Sequence, residues 1–179
     1  GAKIAKSKGW ASTIEYLPAK SPADYGPNIQ KFVDKGCTLI LGIGFAVADA
    51  IIASAEKNSK VKYAIVDHDG LKNFCCKVPN VKGLTFKTNE NSFVAGYMAA
   101  GLSKTGKVAT YGGMPFPTVT IFMDGYAKGV EFYNEIKGKS VKVLGWDPSN
   151  PGSGSMVGDF ANTTKALSMS QAFELQGAD

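Results

Sequence analysis

The stretch that decides the fold is TLILGIGFAVADAII, residues 38–52. It reads as an apolar strand, a Gly-x-Gly turn and a helix. The next apolar run, VKYAIVD, ends in Asp67, 23 residues beyond Gly44. Strand, glycine turn, helix and strand in that order make a β–α–β unit, which implies parallel pairing. Two readings of the turn share this secondary structure. In the first, Gly42 and Gly44 cradle a dinucleotide pyrophosphate and Asp67, about 20 residues on, holds the ribose. Its weak point is Val47, which stands where a third glycine would let helix and strand pack closely. In the second, a parallel β–α–β unit simply needs glycine in a tight turn.

Strands and helices alternate outward from this unit. STIEYL, residues 12–17, reads as a strand. Residues 21–36 read as a helix, with Ser21 as cap, Pro22 at the first position, Gly36 as stop and a possible break at Gly26-Pro27. TLILGI is a continuous apolar run, the pattern of a strand buried on both faces. YAIVD and GLTF are further strands. NENSFVAGYMAAGLSKTG is a helix with Phe93, Tyr97 and Ala100 on one face, and with Ala95, Gly96 and Ala99 small enough for close helix approach. A second run follows: strand 108–111, a loop through Pro115-Phe116-Pro117, helix 119–136, strand VKVLGW, a long loop DPSNPGSGSMVGD and helix 162–176. A loop of that length more often lines something than merely connects. The expectation is an α/β protein with mostly parallel sheets in two lobes, residues 1–105 and 106–179, divided near 103–107. Both ends read as incomplete units, so the chain is expected to be a fragment of a larger protein.

Composition narrows the function. The 179 residues are 44% hydrophobic and 20% charged, with 20 Lys and no Arg against 15 acidic residues, net +5. Arginine is the usual reader of bases and the bidentate clamp on phosphate. Scattered lysine without it describes a solvated surface, so no nucleic-acid partner is expected. The longest apolar stretch, 39–55, contains Asp49 and two glycines and falls short of the roughly 20 residues a spanning helix needs. Cys37, Cys75 and Cys76 show no zinc spacing. Adjacent cysteines are not expected to bridge, because a disulfide prefers Cα atoms about 5.5 Å apart. DHDG, residues 67–70, holds the single histidine, His68, and reads as a turn rather than a metal site. Nucleophile motifs are absent. No catalytic residue, metal or cofactor is therefore assigned.

The run PNVKGLTFKTNENSFVAGYMAA resembles the basic membrane protein family, purine-nucleoside-binding lipoproteins of ABC importers. LILGIGF is similar to that family's GxGF turn, and YAIVD to its strand ending in Asp. GKVATYGG followed by VTIFMDGYAKGV is similar to the start of its second lobe. VGDFAN is similar to its GSFxD, with Asp159 in place of Ser and Asn162 in place of Asp. The resemblance runs from about residue 12 to the end.

It implies a two-lobe, periplasmic-binding-protein-like (type I) fold with a ligand cleft between the lobes. It also implies a solute-binding protein, not an enzyme, that takes a purine nucleoside and delivers it to ABC permease subunits. Its place would be extracytoplasmic, held to the membrane by a lipid anchor outside these residues. The ligand-binding residues it implies are Phe45, Phe160, Asn89 and Gly113. Phe160 would stack on the base and Phe45 would offer a flat apolar face, each with a core role as its alternative. Asn89 would either hydrogen-bond ligand or cap the helix that follows. The family's first strand, expected before Gly1, and its later strands, expected after Asp179, are not in the sequence. An NAD-dependent oxidoreductase using Gly42, Gly44 and Asp67 is the rival. A third possibility is the effector domain of a transcription regulator, with a DNA-binding segment upstream.

Overall fold

The computed structural model describes residues 2–73 and 75–179. It divides into two compact units, Gly1–Thr85 and Phe86–Asp179.

In the first unit, α1 (Ala2–Ser7) is followed by an irregular segment and a 3-10 turn, Pro22–Asp24. The strand expected at 12–17 does not form among the described residues. Its backbone joins no ladder, and Tyr16 is 80% exposed. A strand exists only with a partner to bond, and alternating residues alone do not supply one. The Asp24 carboxylate accepts the Lys20 and Ser21 N–H groups at 2.8 and 2.9 Å, which hold its pKa below the ordinary value. The next helix, α2 (Tyr25–Asp34), runs through Gly26-Pro27 without the expected break. Pro27 is its third residue, where a backbone N–H has no intrahelical acceptor to lose. Gly36, with φ +73°, ends it as expected.

The β–α–β unit follows: β1 (Leu39–Ile43), α3 (Ala48–Lys57) and β2 (Lys62–Val66). A short antiparallel hairpin, β3 (Leu71–Lys72) and β4 (Cys76–Lys77), intervenes before β5 (Val81–Leu84). The sheet order is β1-β2-β5, all parallel, with Leu39 opposite Lys62 and Tyr63 opposite Val81. Ile29, Ile51, Ile52 and Ala55 of the helices pack with Ile40, Tyr63 and Ile65 of the strands. Buried Asn80 ties the end of this layer, its amide nitrogen 2.9–3.1 Å from the carbonyls of Ala55, Asn58 and Val61. The expectation that β1 is buried on both faces is not met: Ile40 is buried, but Leu39, Leu41 and Ile43 are 61%, 51% and 70% exposed. Two-sided burial needs a layer on each face.

The hairpin and its cysteines were not anticipated. Cys75 and Cys76 are joined by a disulfide. Successive side chains of a straight strand point to opposite faces. Here Cys75 lies in the turn and Cys76 is the first residue of β4, so the pair straddles turn and strand.

The second unit contains α4 (Thr88–Leu102), β6 (Lys107–Ala109), α5 (Pro117–Lys137), β7 (Lys142–Leu144) and α6 (Thr163–Leu175). β6 and β7 pair in parallel, Lys107 opposite Lys142. The division between units falls some 20 residues before the expected 103–107, because α4 packs on α5. The two helices lie side by side in the same direction. A methyl group at Gly125 would meet the Asn89 backbone, one at Gly129 the Phe93 carbonyl, and one at Gly96 the Tyr126 carbonyl. Phe93–Phe132 and Tyr97–Tyr133 flank the seam, with ring centroids 5.5 and 5.3 Å apart.

Two expectations follow. Gly96→Ala must push the helices apart, and overpacking of this kind costs about 1–3 kcal/mol. Urea unfolding should show that loss with the slope unchanged, and an unaltered midpoint would contradict backbone contact at Gly96. The Asp179 carboxylate accepts bonds from the Ser103 hydroxyl (2.6 Å), the Lys104 N–H (2.7 Å) and the Thr105 hydroxyl (2.8 Å), which lower its pKa to about 2. A depressed carboxylate stabilises the fold above its ordinary pKa of 3.8, and the contribution is lost as pH falls through about 2. A carboxyl NMR titration should give Asp179 that low midpoint, and Ser103→Ala should raise it.

Candidate functional site

At the carboxyl end of β6 the chain enters Gly112-Gly113. Residues 155–158 run alongside: the Gly112 N–H bonds the Ser155 carbonyl at 3.1 Å, Val157 returns a bond to Gly112 at 2.9 Å, and Gly158 bonds the Gly113 carbonyl at 2.7 Å. This short ladder carries the next turn over Gly113. The turn is built by Asp159, whose Oδ1 accepts the Ala161 N–H at 2.9 Å and the Asn162 N–H at 2.7 Å. Those two bonds hold its pKa below the ordinary value. Asn162 then caps α6, its Oδ1 accepting the Lys165 N–H at 2.9 Å. So both departures from the GSFxD pattern are structural: the two side chains fix the turn and the helix start.

Phe160 sits at the apex and is 56% exposed, so it is not a core residue. Its ring lies over Gly113, where any Cβ would strike it. It stacks with Phe116, ring centroids 6.3 Å apart and planes 16° from parallel. Phe116 precedes Pro117, the first residue of α5. The arrangement presents stacked aromatic faces beside backbone amides and a helix N-terminus, at the strand ends where open α/β sheets take their ligands. Sequence reading placed Phe116 only in a loop. The available signal was an aromatic held between two prolines just past a strand.

Asn89 lies elsewhere in this unit. It is the second residue of α4, whose N-cap is Lys87, so it does not cap the helix. The helix starts at Thr88, ahead of Asn89, and Glu90 pairs with Lys87 at 2.9 Å. Asn89 lines a shallow pocket of about 310 Å³ with Glu90, Phe93, Asp124, Gly125 and Lys128. The Trp146 indole N–H fixes Asp124 there at 2.9 Å. The structure thus brings Gly113 and Phe160 together and leaves Asn89 at a separate pocket.

Phe45 belongs to the first unit. It follows Gly44, whose φ is +92°, and opens a 3-10 turn before α3. Here the dinucleotide reading meets an obstacle. A Cβ on Gly42 would lie 2.7 Å from Val47 Cγ1, so Gly42 makes room for the valine side chain. The side chain that breaks the glycine pattern is seated on its first glycine. Asp67 stands past the end of β2 with φ 64°, and its N–H bonds the Leu84 carbonyl at 2.8 Å. Beyond it, His68 forms an isolated antiparallel bridge with Leu84 rather than part of a turn, its buried ring accepting the Gly70 N–H at 3.0 Å, and Asp69 accepts the Leu71 N–H at 2.9 Å. Among the described residues no helix is long and apolar enough to cross a membrane, and no cluster of three or more metal-ligating acid, His or Cys side chains occurs.

Comparison with known proteins supplies the family. The family of PnrA-like ABC transporter substrate-binding proteins matches residues 3–153. The chain belongs to this family. It is 35% identical over 116 residues to the ABC transporter nucleoside-binding protein BmpA of Lactococcus lactis, covering 65% of this chain and 32% of that protein. It is 34% identical over 129 residues to basic membrane protein A of Borreliella afzelii, covering 72% and 38%. It is 30% identical over 164 residues to basic membrane protein A1 of Borrelia garinii, covering 91% and 44%. The chain therefore spans about a third to under half the length of these relatives.

Solved structures agree in fold. An ABC transporter solute-binding protein from Aeropyrum pernix superimposes with a TM-score of 0.71 at 24% identity, over 99% of this chain and 46% of that one. A solute-binding protein from Conexibacter woesei gives 0.57 at 22%, over 99% and 54%. A transcriptional activator of the comK gene from Bacillus halodurans gives 0.61 at 22%, over 89% and 48%. The α/β, solute-binding-protein fold is thus as expected, and the oxidoreductase rival has no support. The family match ends before Phe160, so that residue's assignment rests on the aromatic geometry and on the GSFxD resemblance.

A local test separates the ring's position from the fold's stability. Gly113→Ala should displace the Phe160 ring, which the added Cβ would strike. The same Cβ would lie 2.9 Å from the Asp159 carbonyl oxygen, so overpacking of about 1–3 kcal/mol should lower the melting temperature by several degrees without loss of the fold. The ring-current shifts of Phe116 and Phe160 should disappear in the NMR spectrum. Unchanged shifts would show that Phe160 does not rest on Gly113.

Proposed function

We propose that the protein containing this chain is the solute-binding component of an ABC importer and that its solute is a purine nucleoside. Membership of the substrate-binding family over residues 3–153 carries the reading. The nucleoside-binding name of the Lactococcus lactis relative and the stacking of exposed Phe160 on half-buried Phe116 support the choice of solute. A purine is a flat aromatic system, and stacking on a phenylalanine face contributes about 1–3 kcal/mol per base without a charged partner. Phe160 supplies that face, with Gly113 keeping the backbone clear beneath it. Phe45 offers a second apolar face and Asn89 an amide for hydrogen bonding. The protein performs no chemistry of its own. It binds, then passes the solute to permease subunits from an extracytoplasmic position, tethered by a lipid anchor.

In the full-length protein, titration calorimetry should detect inosine, guanosine or adenosine and not NAD. Binding of NAD alone would return the oxidoreductase reading. Phe160→Ala should raise the nucleoside dissociation constant by about 5- to 150-fold, the equivalent of 1–3 kcal/mol. Its unliganded melting temperature should change little. An unchanged affinity would remove Phe160 from the site.

A further inference from the structure

We propose that Cys75–Cys76 is a two-electron redox site, open to small thiols from solution and independent of solute binding. Both residues are exposed, and they end the β3–β4 hairpin, where Cys76 stands opposite Lys72. A cross-link stabilises a fold chiefly by shortening the free loop of the unfolded chain, and the effect grows with loop length. Two adjacent residues close the smallest loop there is. This bond therefore does little to hold the first unit together, and its exposed sulfurs leave an attacking thiolate free access. Buried Val78 and Asn80 anchor the chain just past β4, so the hairpin stays attached whether or not the bond is present.

The exchange balances as ordinary thiol chemistry. A thiolate from a small thiol attacks one sulfur, the S–S bond breaks as a mixed disulfide forms, and the other cysteine leaves as thiolate and takes a proton. A second thiol then displaces the first. Two thiols give up two electrons and become a disulfide, and the protein holds a vicinal dithiol. Two adjacent thiols on one turn form a chelating pair, so the reduced site takes soft trivalent electrophiles as a bidentate ligand.

Cys37, half-buried and free, is the internal control. The folded chain, purified without reductant, is alkylated with N-ethylmaleimide and mapped by peptide mass. Cys75 and Cys76 should be unlabelled. After glutathione treatment in native buffer both should label, with the melting midpoint shifted by less than about 2 °C, within the range of a minor surface change. The reduced chain should then bind one equivalent of phenylarsine oxide, and Cys75→Ser should bind none. Labelling of both cysteines before reduction would overturn the proposal. So would labelling that needs denaturant after glutathione, or reduction that unfolds the chain.

Discussion

The second unit depends on a contact between two backbones. Gly96 of α4 and Gly125 and Gly129 of α5 let the helices meet main chain to main chain, with no side chain between them. Glycine in a helix costs about 0.5–1 kcal/mol relative to alanine. Three of them along one seam make sense only if the close approach returns more than that. The return comes from the aromatics on either side, Phe93 with Phe132 and Tyr97 with Tyr133, which reach each other only because the axes are close. From this seam α5 takes its position, and its first turn places Phe116. The aromatic pair at the strand ends is thus held by a helix whose own place is set about two turns away.

The opposite side of that pair is positioned by polar groups. Asp159 collects two backbone N–H groups and turns the chain so that Phe160 projects at the apex. Residues 155–158 bond to Gly112 and Gly113, and that ladder carries the turn to the same place. Tyr111 secures α6 behind it, its hydroxyl 2.9 Å from Ser170 Oγ and its ring stacked on Phe173. An exposed phenylalanine gives up contact with the core, and it keeps a defined position only when the backbone beneath it is fixed. Hydrogen bonds from Asp159, Asn162 and the Gly112–Gly113 ladder supply that fixity.

Much of this was legible in the sequence, where local patterns specify local structure. The β–α–β unit, the start at Pro22, the stop at Gly36 and the small-residue face of α4 all follow from residues close in the chain. What was not legible depends on partners. Residues 12–17 alternate like a strand but have nothing to pair with. The apolar run of β1 suggested two covered faces, and one is open. Asn89 resembled a cap, but α4 begins ahead of it at Thr88. The lobes were expected to divide near 103–107, after α4, whereas the glycine seam joins α4 to α5 in the second unit. Phe116 went unassigned because its partner is 44 residues away.

The glycine turn shows why one motif admits two functions. Gly42 and Gly44 occupy the positions that a pyrophosphate loop would use, and the flanking strand and helix are the same. In a dinucleotide site the glycines clear space for a ligand and let the helix start close to the strand. Here the space beside Gly42 is filled from within, by Val47 and by Ile51 at 3.1 Å. Gly44 supplies a φ of +92°, a conformation that L-residues rarely adopt. The turn then hands the chain to Phe45, an apolar residue in place of a bare amide nest. One branched side chain at position 47 thus converts a phosphate cradle into a packed joint.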